Sequence, residues 1–362
     1  MNRIGPTALL ECSLLSCMPA SAGVTPVQID LVSPDDSAQA ENAPLFASHD
    51  AIQLTLEGNL TALRSDRSEE PDEQPAQLAF RDINGSPVAV PVGIRPRGGW
   101  RRQKRNCDFP NYWLNLPKQQ VENTLFDGQD ELPVVTPCRV NQKDYQAYVL
   151  QEYLAYRIYN VLTQSSFRVR LAQMTYIDAA AQGDTLTKYV FLVEHADQLA
   201  SRHRMTVLDV RARQDDVDPD RLWPMLLFQY MIGNTDWSVS GLHNIMLLAD
   251  QEQIPLPVPF DFDWTGIVNP RYAAPDPSLN LKRITDRLWR GHCKPEEAAR
   301  AQLAVAFALL SKHKDEIYAL YLNQPRLDRI RLEETYDYLD EFYETINHPD
   351  RVRREFIQTC RR

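Results

Sequence analysis

Two short runs of this sequence hold the residue types that metal-dependent phosphoryl transfer requires. Residues 232–244 read IGNTDWSVSGLHN, and residues 258–266 read VPFDFDWTG. Four of their residues could act on a metal and a substrate, namely the carboxylates of Asp236, Asp261 and Asp263 and the side-chain amide of Asn244. Carboxylate and amide oxygens are the ligands that Mg²⁺ prefers, and a further carboxylate can take the proton of an acceptor hydroxyl. The two runs therefore predict a site for metal-dependent phosphoryl transfer.

The same residues also fit another enzyme class and purely structural roles. Asp261 and Asp263 form a DxD sequence, which metal-dependent glycosyltransferases also contain. Asn234 and Asp236 are also typical of a turn that ends a helix, and Asp261 is typical of an Asx-turn. A glycosyltransferase would need a Rossmann-like parallel sheet, which the order of the predicted elements does not favour.

The elements that must position these runs form a β-rich first half and a mainly helical second half. Strands are predicted where apolar residues alternate: 51–60, 77–81, 88–94, 113–116, 132–136, 168–176 and 188–193. Helices are predicted where apolar residues recur at helical spacing: 144–162, 222–232, 296–322, 333–346 and 350–359. The first chemical run then follows a helix and the second follows a strand, so both lie on loops.

The charge balance narrows the classes of partner. The chain of 362 residues has 39 Lys and Arg against 49 Asp and Glu, which gives a formal net charge of −10. Because nucleic-acid binding needs a basic face, we expect no nucleic-acid partner. The chain contains no Walker A and no GxGxxG sequence, so any bound phosphate would be held by local basic groups.

Residues 1–22 are predicted to be a signal peptide. Arg3 gives the segment a positive start, and residues 7–18 are mostly apolar. Ala20-Ser21-Ala22 then offers a small-residue cleavage site. A short buried helix is the alternative for this segment. The signal peptide predicts an exported protein, either periplasmic or secreted.

The segment around the predicted cleavage site also bears on membrane attachment. Leu14 to Cys17 weakly resembles a lipobox, in which Cys17 would carry a lipid anchor. No other segment approaches the roughly 20 apolar residues that a bilayer span needs, so we expect no membrane span. Residues 23–45 are polar and are predicted to be a linker.

Cleavage at this site would leave an even number of cysteines. The four that remain are Cys107, Cys138, Cys293 and Cys360. An exported chain permits two disulfides, and we favour Cys107–Cys138 and Cys293–Cys360 because each pair stays within one half of the chain. Four buried thiols are the alternative, and no spacing matches the CxxC of a structural zinc site.

The motif residues resemble those of the spore-coat-protein-H-like (CotH-like) kinases. The similarity lies in GNTDW and HN, the strand after them, and PFDFDWTG. Upstream, residues 94–102 resemble the family's arginine- and glycine-containing turn, residues 151–156 its N-lobe helix, and residues 189–194 the strand before the hinge. The resemblance covers about residues 50–270 and leaves the carboxy-terminal helices matched only in character.

The resemblance implies an α+β, two-lobed protein-kinase-like fold. The β-rich N-lobe with one main helix would span residues 46–200, and the mainly helical C-lobe would span residues 201–362. The implied activity is phosphoryl transfer from ATP to a protein hydroxyl, with Mg²⁺ or Mn²⁺ as cofactor. The nucleotide and a protein substrate are therefore the expected partners.

The resemblance also assigns a role to each motif residue. Asp236 would be the catalytic base, Asn244 and Asp261 would hold the metal, and Asp263 would be a second carboxylate ligand. His243 would lie next to the metal, with a packed turn histidine as the alternative.

Glu152 would pair with a basic residue that holds the phosphates. The family's lysine would lie on a strand before the Glu152 helix, where this chain has Pro133, and Asn115 occupies another place where a basic residue would be expected. Arginine binds phosphate through two parallel hydrogen bonds, so we expect Arg97 to take this role. Three further basic residues are candidates: Lys118, Arg95 and Lys104.

The presence of a basic side chain within reach of Glu152 decides between an active enzyme and a degenerate one. Residues 101–105, RRQKR, are predicted to form a solvated loop, with phosphate contact as the alternative. If no basic side chain reaches Glu152, the resemblance implies a pseudokinase that binds a nucleotide or a protein.

Overall fold

The computed structural model describes residues 34–181 and 184–361. The predicted signal peptide and Cys17 lie outside the described residues. The described part of the predicted linker contains a helix, α1 (Pro34–Glu41), and a 3₁₀ turn (Pro44–Phe46). Leu45 and Phe46 of that turn are buried, so this end of the predicted linker packs into the folded unit.

Seven strands of the first half close into a barrel. They are β1 (Ile52–Gly58), β2 (Gln74–Arg81), β3 (Pro87–Arg97), β4 (Asn111–Asn115), β5 (Glu131–Val135), β6 (Val169–Asp178) and β7 (Asp184–Val193). Around the barrel the strands follow the order β1-β2-β3-β4-β5-β7-β6 with antiparallel pairing, and β1 pairs in parallel with β6 to close it. Closure removes the exposed edges that an open sheet would leave.

The predicted two-lobed, protein-kinase-like fold is wrong. The sheet within residues 46–200 closes on itself, and the described residues belong to one compact unit with no division at residue 200. Closure depends on pairing such as Ile52 with Ala172, which brings together segments far apart in the chain and leaves no local signal in the sequence. β1 with β6 is the one parallel pair among the described strands, so the Rossmann-like sheet of a glycosyltransferase is absent from this part of the chain.

The strands themselves lie where alternation predicts them. Along β1, β2 and β3 buried side chains alternate with exposed or half-buried ones, because successive residues of a strand point to opposite faces. The barrel interior is filled by apolar side chains from all seven strands, among them Leu54, Leu56, Leu78, Ile94, Leu114, Leu132, Met174 and Val190. Strands β2 and β3 form a hairpin, and its turn places Gly85 at φ 82°.

A second core forms between the barrel and the helices. The helices after α1 are α2 (Leu60–Ser65), α3 (Lys118–Val121), α4 (Lys143–Leu162), α5 (Ala196–Arg202), α6 (Pro219–Met231), α7 (Glu296–Lys312), α8 (Lys314–Leu322), α9 (Arg329–Ile346) and α10 (Pro349–Val352), followed by a π-helical turn (Arg353–Gln358).

The helix predicted for 296–322 is two helices, because His313 ends α7 and begins α8. None of the helices in the described ranges has the length and apolarity to cross a bilayer.

Helix α4 and a small sheet set the position of the chemical runs. Nearly every residue of α4 from Tyr148 to Tyr159 is buried, so this helix is a fixed support between the barrel and the other helices. The sheet contains β8 (Thr206–Leu208), β9 (Ile245–Ala249) and β10 (Pro255–Pro259), with β9 in the centre. The first chemical run leads from α6 into β9, and the second leaves β10.

Both predicted disulfides are present. Cys107 pairs with Cys138 over a separation of 31 residues, and Cys293 pairs with Cys360 over a separation of 67. Disulfides are typical of proteins that fold in an oxidising compartment, which agrees with an extracellular location. The first disulfide joins the loop after β3 to the segment after β5.

Removing the first disulfide is expected to destabilise the protein. The double variant Cys107→Ala and Cys138→Ala should lose about 2–4 kcal/mol of unfolding free energy, because the unfolded chain gains the freedom of an opened loop. Both cysteines are buried, and alanine leaves no polar group behind. Urea unfolding without added oxidant or reductant measures the change. An unchanged midpoint of the unfolding transition would show that the disulfide does not constrain the unfolded chain.

Candidate functional site

The two chemical runs line one cavity of about 660 Å³. The barrel residues of its lining come from β3, β4, β5 and β7, among them Arg97, Asn111, Val135 and Val193. Apolar residues form part of its lining: Trp113, Pro133, Val135, Phe167, Val193, Ala196, Met246 and Phe260. Charged and polar residues form the rest, and they include Arg97, Arg101, Glu152, Asp236, His243, Asn244, Asp261 and Asp263. A cavity of this size with both kinds of lining is typical of a small-molecule site.

Backbone pairing holds the two runs side by side. The Gly266 N–H donates to the carbonyl of Gly233 at 3.1 Å, and Asn234 forms a bridge with Thr265. Gly233 has a φ of 65°, a conformation that ends α6 and suits glycine. A Cβ on Gly233 would also lie 3.2 Å from the Gly266 Cα. The close approach of the two loops therefore requires glycine at position 233.

Asn234 fixes the backbone of Asp236. The Asp236 N–H donates to the Asn234 side-chain oxygen at 2.9 Å, which is an Asx-turn, and the Trp237 indole N–H donates to the Asn234 carbonyl at 3.1 Å. The turn predicted as a structural alternative is thus present. It supports the carboxylate of Asp236, which is 41% exposed and lines the cavity.

Asp236 forms a close group with His243 and Asn244. Its Oδ1 lies 2.7 Å from His243 Nε2, and the Asn244 side-chain amide donates to the Asp236 carbonyl at 2.8 Å and to its Oδ2 at 3.2 Å. His243 is therefore a direct partner of the carboxylate and not a packed turn residue. A carboxylate that is oriented by two neighbours and open to a cavity can accept a proton from a bound hydroxyl.

Asn244 and Asp261 both occupy the left-handed region of backbone conformation. Their φ angles are 52° and 61°, which L-residues adopt at some cost and which Asn and Asp tolerate best. The Phe260 N–H donates to the Asn244 carbonyl at 3.1 Å, and the Asp261 N–H donates to the Tyr156 hydroxyl at 2.8 Å. Non-glycine residues held in this region concentrate at functional sites. The structure thus brings the two expected metal ligands together.

Arg101 is the basic residue that reaches Glu152. Its Nη2 lies 3.8 Å from Glu152 Oε2 and 2.9 Å from Asp263 Oδ2. The Arg101 Nη1 donates to the carbonyl of Thr136 at 2.9 Å and to Asn111 Oδ1 at 3.3 Å. The prediction of a solvated loop is wrong for this residue, because the turn after Gly98 (φ 82°) directs the Arg101 side chain inward while residues 103–105 stay exposed.

Aromatic rings close the surface above Arg101. The Tyr272 hydroxyl lies 3.5 Å from Arg101 Nη2 and donates to Asp263 Oδ2 at 3.2 Å. The Trp100 ring lies 5.1 Å from the Tyr272 ring and 5.6 Å from the Trp264 ring. Because these groups exclude water, the Arg101 and Asp263 charges depend on each other. Asp263 is therefore an ion-pair partner of Arg101, whereas the sequence predicted a metal ligand.

The other basic candidates lie in different places. Arg97 lines the cavity with its guanidinium 4.7 Å from the Trp113 ring centre, and it forms no ion pair with any described residue. Lys118 does not line the cavity, because it is largely exposed and pairs with Asp130 at 2.9 Å. Arg95 pairs with Glu131, and Lys104 is exposed. Arg97 is thus the described candidate that is free to meet a bound phosphate.

The cavity carries an excess of negative charge next to these arginines. Glu152 is 2% exposed, and its Oε2 has no hydrogen-bond partner among the described residues. Burial and the neighbouring Asp263 raise the pKa of Glu152 well above its usual range. Asp261 is open to the cavity but lies deep in the cleft, and burial there together with Asp263 raises its pKa to about 7. Both shifts mean that a further positive charge would stabilise the ionised cluster.

The donor set fits a cation that arrives with phosphate better than a metal held by protein alone. No group of three or more His, Cys, Asp or Glu side chains in the described ranges is arranged around a common metal position. Magnesium, however, is often held by one or two carboxylates together with substrate phosphates. Asp261 and Asn244 provide such a partial set, and the Glu152 oxygen that has no hydrogen-bond partner marks the local need for positive charge.

The raised carboxyl pKa values predict how stability depends on pH in the cation-free protein. These carboxyls have a pKa near 4 in the unfolded chain and a higher pKa in the folded protein. At pH values between the two, the folded state binds more protons than the unfolded chain. The stabilisation that comes from the protonated carboxyls is therefore complete below pH 4 and is lost as pH rises. Glu152→Gln should therefore become more stable relative to wild type as pH increases from 5 to 8. Thermal unfolding with a chelator present measures the difference.

The matched control for this pH series is Glu297→Gln, which changes an exposed carboxylate on α7. We expect its difference from wild type to stay constant with pH. A constant difference for Glu152→Gln as well would contradict the raised pKa of Glu152.

Another large cavity, of about 770 Å³, lies beside α9 and is less suited to chemistry. Its lining mixes both signs of charge, and these groups pair with each other, as Arg287 does with Glu341 at 2.8 Å. The three aspartates of the two chemical runs do not line this cavity. We therefore place the functional site in the cavity that the two chemical runs line.

No protein-family model and no curated protein matches the chain. The resemblance to CotH-like kinases therefore depends on the motif residues alone. What sequence reasoning missed is the role of Arg101 and of its aromatic cover. The RGGWR sequence indicates only a tight turn, because two glycines before an arginine permit one, and it does not show that the Arg101 side chain points inward.

Proposed function

We propose that the chain binds a nucleoside triphosphate with Mg²⁺ or Mn²⁺ in the cavity that the two chemical runs line and transfers its terminal phosphoryl group to a protein hydroxyl. The observation that carries the proposal is the convergence of Asp236, Asn244, Asp261 and Arg97 on one cavity. This set provides a base, two oxygen ligands and a free guanidinium, which are the groups that phosphoryl transfer requires.

The lining of the cavity supports a nucleotide as the ligand. The eight apolar residues of the lining offer a surface for a planar base, and Trp113 among them stacks with Arg97. Among the charged residues, Arg97 ends β3, Glu152 lies on α4, and the three aspartates lie in the loops that follow α6 and β10. A nucleotide has the same division between an apolar base and charged phosphates.

Each residue has a role that its geometry allows. Arg97 binds phosphate oxygens, and Asn244 and Asp261 hold the cation, which would neutralise charge on the phosphates. Asp236, held by His243, accepts the proton of the acceptor hydroxyl as the new O–P bond forms. The bond between the terminal phosphorus and the bridging oxygen then breaks, and the nucleoside diphosphate is the leaving group. Arg101 and Glu152 position the loops and do not touch the substrate.

The family and the compartment are part of the proposal. The motif residues support a relationship to CotH-like kinases in the site, although the overall fold differs from the one that the resemblance implied. The two disulfides support export of the chain.

A pseudokinase is the second candidate function, and one observation favours it. The Arg101 guanidinium, which reaches Glu152, is already bound by Asp263, Thr136 and Asn111. A side chain held in this way cannot also clamp a phosphate. If Arg97 does not compensate, the cavity would bind a nucleotide without turnover.

Calorimetric titration with ATP tests the proposal, with and without Mg²⁺. We expect binding that depends on the cation, a large loss of affinity in Asp261→Asn, and unchanged affinity in Lys118→Ala, which alters an exposed lysine outside the cavity. No binding by the wild type would exclude both the kinase and the nucleotide-binding pseudokinase. Binding that survives Asp261→Asn would exclude only the assignment of this metal ligand.

A further inference from the structure

A second cavity, of about 980 Å³, meets the first at the proposed catalytic carboxylate. Three residues line both cavities: Asp236, His243 and Trp264. Asp236 therefore stands at the junction, where one side faces the proposed nucleotide site and the other faces a space that the nucleotide does not fill. A group-transfer reaction needs such an arrangement, because donor and acceptor must approach one base from two directions.

Two arginines give the second cavity its charge. Arg290 is held by hydrogen bonds from its Nη1 to the carbonyls of Thr235 and Trp237, and its guanidinium lies 5.2 Å from the Trp237 ring centre. Arg361 lines the same cavity and is exposed. Neither arginine forms an ion pair with a described residue, and the two charges repel each other strongly enough for Arg361 to lower the pKa of Arg290, after the larger effect of burial.

The two aspartates that line this cavity, Asp236 and Asp276, attract Arg290 but form no ion pair with either arginine. Asp236 is held by His243 and Asn244 on the side of the first cavity. Asp276 also lines the second cavity, but its carboxylate accepts the N–H of Ser278 and caps the 3₁₀ turn Pro277–Leu279. Two unpaired guanidiniums in one cavity are therefore available to an anion from outside the chain.

The second disulfide holds Arg361 in place. Cys360 is bound to Cys293, and the Cys293 N–H donates to the Arg361 carbonyl at 2.9 Å. The Arg361 N–H in turn donates to the Gly291 carbonyl at 2.9 Å, next to Arg290. The two arginines thus stand on paired segments that a covalent bond fixes, which makes the pair a built feature of the cavity.

Apolar side chains complete the lining and indicate the size of the ligand. Trp237, Trp264, Trp289, Pro275, Leu279 and Leu288 line the cavity beside the arginines. Such a surface suits the side chains and backbone of a polypeptide better than a small inorganic ion.

We propose that the second cavity is the acceptor site and that it binds a serine- or threonine-containing polypeptide segment with acidic side chains near the hydroxyl. Arg290 and Arg361 would bind the acidic side chains, and the hydroxyl would reach Asp236 at the junction. This role as an acceptor site depends on the proposed phosphoryl transfer. Binding of an acidic segment to the cavity does not depend on phosphoryl transfer, so the binding and the role as an acceptor site can be tested separately.

Fluorescence anisotropy with labelled serine peptides, without nucleotide, tests the binding. Three peptides differ only in whether the residues around serine are acidic, neutral or basic. We expect the acidic peptide to bind most tightly and its affinity to fall as salt increases, because the contacts are charged. Arg361→Glu should weaken its binding on the order of tenfold or more and should reduce the salt dependence.

The matched control is Arg353→Glu, which reverses an exposed arginine outside the second cavity. Its peptide affinity should equal that of the wild type. Equal binding of the acidic and neutral peptides, no binding of any peptide, or an unchanged affinity in Arg361→Glu would each overturn the proposal. Nucleotide titration of the same variants distinguishes this failure from failure of the proposed function, because Arg361 does not line the first cavity.

Discussion

Replacement of Arg101 by methionine is expected to lower the free energy of unfolding by about 3–5 kcal/mol. The Arg101 side chain is buried and bridges Asp263 at 2.9 Å and Glu152 at 3.8 Å. Without the guanidinium, two buried carboxylates lose their counter-charge, and desolvation then dominates their energy. Chemical denaturation at pH 8, where carboxylates in water are ionised, measures the loss.

The control for Arg101 is Lys104→Met in the same loop, which changes an exposed side chain and should leave stability within about 0.5 kcal/mol of wild type. A second variant separates charge from packing. Adding Asp263→Asn to Arg101→Met should recover part of the loss, because the neutral amide needs no counter-charge. An Arg101→Met variant as stable as Lys104→Met would contradict the buried ion pair.

Replacement of Asp236 by asparagine is expected to lower the rate of phosphoryl transfer by about 10²–10⁴-fold, the usual contribution of a positioned general base. Asparagine has the same shape and can still meet Asn244, but it cannot accept the hydroxyl proton. Nucleotide affinity should change little, since the proposed cation ligands are Asn244 and Asp261. Initial rates with labelled ATP, together with the calorimetric affinity, separate the two effects.

The variant His243→Gln serves as the comparison for Asp236. It removes the imidazole that lies 2.7 Å from the carboxylate while leaving the base in place, so a smaller loss of rate is expected. Equal losses in the two variants would indicate that Asp236 acts only by positioning the loop. A wild type that binds nucleotide but shows no turnover would instead support the pseudokinase.

The sequence predicted local features of the fold well and the long-range ones poorly. Alternation and turn residues indicated β1 to β7 because those signals depend on neighbouring residues. The barrel closes because β1 pairs with β6. The sequence of either strand is equally consistent with an open sheet. The resemblance therefore suggested a two-lobed fold that the chain does not adopt.

The same contrast between local and long-range features applies to the candidate site. Asp236, Asn244 and Asp261 were identified from residue type and spacing, and all three line one cavity. The partner of Glu152 was assigned to Arg97, because a local pattern cannot show that Gly98 turns Arg101 into the interior. Lys118 was a candidate only by residue type, and it lies outside the cavity.

The most direct test of the proposed site is a crystal structure with Mn²⁺ and a non-hydrolysable ATP analogue, measured with anomalous scattering. We predict an anomalous peak next to the Asp261 carboxylate and the Asn244 side-chain oxygen, with the phosphates near Arg97 and the base among the apolar residues of the cavity. Manganese and nucleotide bound anywhere else in the protein, or an empty cavity at saturating ligand, would contradict the proposed site.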